Sequence, residues 1–138
     1  MSDEKPKRKK PSKSPTQRSL ALMLAHGHTC QVVERWNPFA RVRQDLFGFV
    51  DIVAVGPLIG IVGVQATSSP VAARLEKIYA EPRARKWLAA GGRIEIHGWT
   101  LKGARGKRKT YQLRCVRVYL DGEAIAHEEM DSEIPGPE

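Results

Sequence analysis

One aspartate, Asp51, lies inside the otherwise apolar run Phe47–Val55, FGFVDIVAV. A carboxylate in such a run is costly unless it is paired, hydrogen-bonded, metal-bound or facing a cleft. Gln65 interrupts the next apolar run, Ile59–Thr67, in the same way. If the hairpin joining the two runs turns about residue 58, positions 51 and 65 stand opposite each other, and directly paired residues share a face of the sheet. The preceding run, Cys30–Trp36, carries Glu34. A connection centred near residue 42 or 43 sets Glu34 opposite position 50 or 51, and a one-residue bulge brings it onto the Asp51 face. Two carboxylates and a neutral oxygen donor suit a hard divalent cation, Mg²⁺ or Mn²⁺, with waters and substrate phosphate completing its shell. The plainer alternative is that Asp51 and Gln65 only hydrogen-bond each other.

The elements that must position these groups follow from punctuation and periodicity. Ser14-Pro15 is an N-cap followed by proline at the first helical position, and Leu20, Met23 and Leu24 recur at helical spacing, which predicts a helix over about 15–26. Three strands follow at Cys30–Trp36, Phe47–Val55 and Ile59–Thr67, so apolar that burial on both faces is expected. A second helix starts after Ser69-Pro70, kinks or restarts at Pro82 and ends at Gly91-Gly92. Strands at Arg93–Trp99 and Thr110–Leu120 complete the order α-β-β-β-α-β-β, an α/β fold with a mixed central sheet. In this frame Asp45, just before the second strand, reads as a loop cap, His97 as structural, and Trp99 and Tyr111 as core residues or base-stacking platforms.

The 138 residues carry 23 Lys and Arg against 15 Asp and Glu, a net charge of +8. Seven of those acids and no Lys or Arg fall in residues 121–138, so the first 120 residues hold 23 cations against eight acids, a net +15. Such a surface favours a polyanion, because neutralising phosphates releases condensed counterions. The cations concentrate in a glycine-containing loop, Lys102, Arg105, Lys107, Arg108 and Lys109, with Arg74 and Lys77 on the polar side of the second helix. A nucleic-acid interface over these residues is expected. One domain is expected over 15–122, between a disordered basic tail (1–14) and a flexible acidic tail (123–138) able to compete for the basic surface. No apolar run reaches a membrane span, no secretory signal is read, and Cys30 and Cys115 fit free thiols in a reducing, cytoplasmic setting. Dinucleotide fingerprints, P-loops, nucleophile elbows and zinc spacings are absent, which removes the common cofactor enzymes.

Asp51-Ile52-Val53-Ala54 followed by Val64-Gln65-Ala66-Thr67-Ser68 resembles the PD-(D/E)xK nuclease superfamily, most closely the archaeal-type Holliday junction resolvases. Gln17-Arg18-Ser19-Leu20 is similar to their Glu-Arg-x-Leu in the first helix. The resemblance covers about residues 15–100. It implies a restriction-endonuclease-like αβββαββ core and Mg²⁺- or Mn²⁺-dependent hydrolysis of DNA phosphodiester bonds, with selectivity for branched DNA and a homodimer. It assigns catalytic and metal-binding roles to Asp51 and Gln65, with Glu34 replacing the helix-one glutamate, whose position Gln17 holds. Gln65 stands where the family has its second acid and Thr67 where it has its lysine. A lysine from elsewhere, Lys77 or Lys102, must then supply the ammonium; otherwise the chain is a nuclease fold that binds DNA or RNA without cutting it.

Overall fold

The computed structural model describes residues 13–130. The expected basic tail up to residue 12 and the last eight residues of the expected acidic tail lie outside them. Helix α1, Pro15–Ala25, begins with a capping box: Ser14 Oγ accepts from the Gln17 N–H, and Gln17 Oε1 accepts from the Ser14 N–H. Gln17 is therefore a cap residue.

The strands are β1 Thr29–Val32, β2 Arg35–Asn37, β3 Val42–Gln44, β4 Ile52–Gly56, β5 Gly60–Thr67, β6 Arg93–Lys102, β7 Thr110–Asp121 and β8 Ala124–Met130. Helices α2, Val71–Ala80, and α3, Pro82–Ala89, lie between β5 and β6. Six strands form a mixed sheet in the order β1-β4-β5-β6-β7-β8, antiparallel except for the β5–β6 pair. That parallel pair needs a crossover, which α2 and α3 supply. Strands β2 and β3 form a separate two-stranded hairpin.

Each face of the sheet has its own core. Val71, Leu75, Ile78 and Ala84 of the crossover helices pack on Ile94, Ile96, Val116 and Val118, with Phe49 and Val50. On the other face, Met23 of α1 packs on Ile52, Ala54, Val62 and Val64. Each buried Val, Leu, Ile, Met or Phe among them contributes roughly 1.5–3 kcal/mol. No helix among the described residues is long and apolar enough to cross a membrane.

Three expectations are corrected. The run Cys30–Trp36 divides after Val32, its second part leaving the main sheet as β2. The run from Phe47 enters the sheet only at Ile52, because Leu46–Val50 closes a tight turn, with Leu46 and Val50 bridged. The acidic segment is not a tail throughout. Residues 124–130 pair with β7 as an edge strand, where Glu128 and Glu129 sit opposite the basic strand and bond Arg117 and Arg114. Those cross-strand ion pairs and the apolar contact of Ile125 with the α2–α3 core favour the strand. At Pro82 the second helix restarts, with Glu81 accepting from the Arg83 N–H as its N-cap.

Candidate metal centre

Three successive cross-strand pairings assemble the site. The β4–β5 ladder pairs Ile52 with Val64, so its next step sets Asp51 opposite Gln65. Gln65 Nε2 donates to Asp51 Oδ2 at 2.8 Å, and the Ala66 N–H donates to the same oxygen at 2.8 Å. The Leu46–Val50 bridge, taken one step outward, sets Asp45 opposite Asp51. The β2–β3 ladder pairs Arg35 with Gln44, and its next step sets Glu34 opposite Asp45. Carboxylate oxygens of Glu34, Asp45 and Asp51 consequently all lie within 4.8 Å of one another. Gln65 Nε2 also reaches Asp45 Oδ2 at 3.3 Å, and Lys77 Nζ on α2 lies 3.1 Å from that oxygen. Arg43 Nη1 is 3.1 Å from Glu34.

The tight turn between the two aspartates depends on left-handed backbone at Phe47 (φ 55°) and Gly48 (φ 80°). The positive φ at Gly48 favours glycine there, and a β-carbon would also press on the Glu81 carboxylate and Arg83 guanidinium at the start of α3.

Asp51 and Gln65 are almost fully buried, whereas Glu34 and Asp45 keep about a seventh of their side-chain surface. Burial pushes Asp51 up to about 8; the Asp45 hydrogen bond and the charges of Asp45 and Glu34 add to this, against the Ala66 N–H. Burial acts on Asp45 in the same direction, but hydrogen bonds from Asp51 and Lys77 and the Lys77 charge outweigh it and hold Asp45 below its ordinary value. The pair therefore keeps one proton, on Asp51, because two carboxylates this close do not both ionise without a cation.

These residues could hold a divalent cation. The donors are hard oxygens, and Gln65 Oε1 is buried with no hydrogen-bond partner among the described residues. Beside the cluster opens a cleft of about 410 Å³ lined by Arg43, Gln44, Asp45, Gly48, Lys77 and Arg83. Its cationic walls suit an anionic substrate.

Glu34, Asp51 and Gln65 thus converge, and Lys77 joins them. Asp45 does not cap its loop with its side chain; it is the central member of the cluster, bonded to Gln65 and Lys77. Counting outward from a tight turn at Phe47-Gly48-Phe49 would have paired it with Asp51. Thr67, at the position of the nuclease motif's lysine, lies on the same face of β5 as Gln65 but bonds none of the acids. Its Oγ1 accepts from the Ser69 N–H at 2.9 Å and from Arg74 Nε at 3.3 Å, which ties half-buried Arg74 to the start of α2.

Lys102, Arg105, Lys107, Arg108 and Lys109 are all exposed, at and beyond the ends of β6 and β7. None pairs with a carboxylate among the described residues. Because β5 and β6 are parallel, with Thr67 beside Gly98, this loop extends from the end of the sheet that carries Gln65. Lys102 is four residues past Gly98, roughly 13 Å along the strand.

A second cluster lies on the α1 face. Glu95, His97 and Cys115 place potential ligand atoms within 4.8 Å of one another, all fully buried. His97 Nε2 is 3.2 Å from Glu95 Oε1, its Nδ1 is 2.8 Å from Ser19 Oγ, and Trp99 Nε1 donates to Ser19 Oγ at 2.8 Å. Burial works against the Glu95 charge, yet the bond to His97 and the charge of His97 hold Glu95 below its ordinary value. Burial, and then the Glu95 charge, push the Cys115 thiol up. His97 and Trp99 accordingly serve the interior, joining β6 to α1. Cys30 and Cys115 are free thiols.

No family model, curated protein or solved structure matches the chain.

Proposed function

We propose that the chain is a metal-dependent endodeoxyribonuclease on a restriction-endonuclease-like core, hydrolysing DNA phosphodiester bonds with Mg²⁺ or Mn²⁺. The observation that carries this reading is the convergence of Glu34, Asp45, Asp51 and Gln65 from four successive stretches of chain, with the Lys77 ammonium brought to them by α2. A buried Asp51 beside two further acids, with an unpartnered buried amide oxygen, costs stability, and such a cost fits a binding site. The order of helices and main-sheet strands also fits the expected core: α1, then β1, β4 and β5, the crossover helices, then β6 and β7.

Asp45, Asp51 and Glu34 would hold the ion, with Gln65 as a neutral ligand or water-positioner. A divalent ion held there would supply the acidification of a bound water and would offset charge building on the phosphoryl oxygens. Gln65 and the Ala66 N–H fix the Asp51 carboxyl in one orientation. Lys77 supplies, from the helix, the positive charge that Thr67 cannot. Held at 3.1 Å from Asp45, it is placed to orient a nucleophilic water and to balance the phosphate charge. Arg43 and Arg83 on the cleft wall and the Lys102–Lys109 loop track the phosphate backbone.

The test is cleavage of supercoiled, linear and four-way-junction DNA with Mg²⁺, Mn²⁺ or chelator, by the wild-type chain and by Asp51→Asn. Metal-dependent cutting lost in Asp51→Asn is expected. Tight, salt-sensitive binding without cutting would overturn the enzymatic reading in favour of a silent nuclease-fold binder.

A further inference from the structure

We propose that the β2–β3 hairpin is a finger that engages unpaired bases in DNA, its rings Trp36 and Phe39 stacking on bases while its arginines hold the flanking phosphates. The inference deepens the nuclease reading by naming the substrate feature that selects the site: a strand opened at a bubble or branch. Trp36 is 59% exposed and Phe39 97%, on a hairpin outside the main sheet. Large apolar side chains gathered on one projection mark an interaction surface.

The tip is built. Asn37 Oδ1 accepts from the N–H groups of Phe39, at 3.0 Å, and Ala40, at 3.1 Å, and Pro38 fixes the backbone between them. Phe39 is thus held out in water by an ordered turn, which lowers the entropy lost on stacking.

The hairpin's register links it to the carboxylates. Trp36 pairs with Arg43, and strand alternation puts both on the face that carries Glu34 and Asp45 at the hairpin's base. Arg43 also lines the cleft beside Asp45 and Lys77.

Charge selects the occupant. Residues 35–44 carry Arg35, Arg41 and Arg43 and no acid. A second copy docked through this hairpin in a two-fold contact would set arginines against arginines. A polyanion with exposed bases meets both features, since every base offers a π-face and arginine adds cation–π attraction.

Fluorescence anisotropy of the full chain in chelator tests this, using a perfect duplex and the same duplex with a central bubble. Replacing both rings, Trp36→Ala with Phe39→Ala, is expected to weaken bubble binding about tenfold or more and duplex binding less than about threefold. Trp36→Phe with Phe39→Tyr, which keeps both rings, is expected to restore most of the preference. Equal losses on both probes, or no loss, would overturn the proposal. So would a wild-type dimer in sedimentation that the double alanine variant dissociates, since a second copy would then occupy the hairpin. The two readings fail separately. Cutting without any bubble preference removes the finger and keeps the nuclease, whereas a ring-dependent bubble preference in a chain that never cuts keeps the finger and removes the nuclease.

Discussion

The two buried polar clusters occupy opposite faces of one sheet, and they differ in what they leave unfinished. Under α1, Glu95 meets His97 and Cys115, His97 meets Ser19, and Ser19 meets Trp99, all within the protein interior. On the crossover face, Asp51 keeps a proton near neutrality, Gln65 keeps a bare oxygen, and Asp45 opens onto a cationic cleft. A closed network adds rigidity and joins elements, whereas an open one is a place for something to bind. Both clusters bring potential metal ligands within 4.8 Å of one another, so proximity alone does not separate them.

Substitutions should separate them by what they damage. Glu95→Ala removes the acceptor from a fully buried pair and leaves His97 without it. A loss of about 3–5 kcal/mol in urea unfolding is expected; a loss below about 1 kcal/mol would mean the network is not a stabilising joint. Asp51→Asn should leave the chain folded and reduce cutting about a thousandfold, equivalent to about 4 kcal/mol of transition-state stabilisation. Residual activity near wild type would move the chemistry elsewhere. Lys77→Met keeps the aliphatic stem and removes the charge, so a fall in turnover of about ten- to a hundredfold is expected, with little change in DNA affinity. A pure affinity loss would instead make Lys77 a phosphate contact.

The clusters should also respond to pH with opposite signs. Glu95 is held below its unfolded value, so its contribution is complete above that value and is lost as pH falls through the folded one. Asp51 is raised from about 3.9 unfolded to about 8 folded in the metal-free chain. It therefore carries no penalty in acid and weakens the fold as pH rises toward 8. Urea midpoints measured across this range should show Glu95→Gln converging on wild type in acid. Asp51→Asn should match wild type near pH 4 and exceed it near pH 8. A constant gap for either variant would break the contrast.

The open cluster was the more legible in sequence. An acid and an amide each interrupting an apolar run are visible anomalies, and counting about residue 58 paired them in the register the sheet adopts. Glu95 was hidden because Arg93–Trp99 alternates apolar and polar residues as a half-exposed strand would, and only α1 lying over that face buries it. Asp45 was missed because a tight turn was read as continuous strand. β8 was missed because acid-rich composition outweighed the short apolar run Ala124-Ile125-Ala126, and the ion pairs to Arg114 and Arg117 depend on long-range pairing.

The edge strand β8 also shapes how a polyanion would approach. Its glutamates pair with Arg114 and Arg117, whereas the cations of the loop beyond β6 and β7 have no carboxylate partner among the described residues. The opposite end of β7 turns through Asp121 and Glu123. Between Lys109 and Asp121 the strand spans roughly 40 Å, and the sign of the charge reverses along it. If a polyanion binds, the exposed cations of the loop beyond β6 and β7 would draw that end of the sheet, where Gln65 lies, toward it.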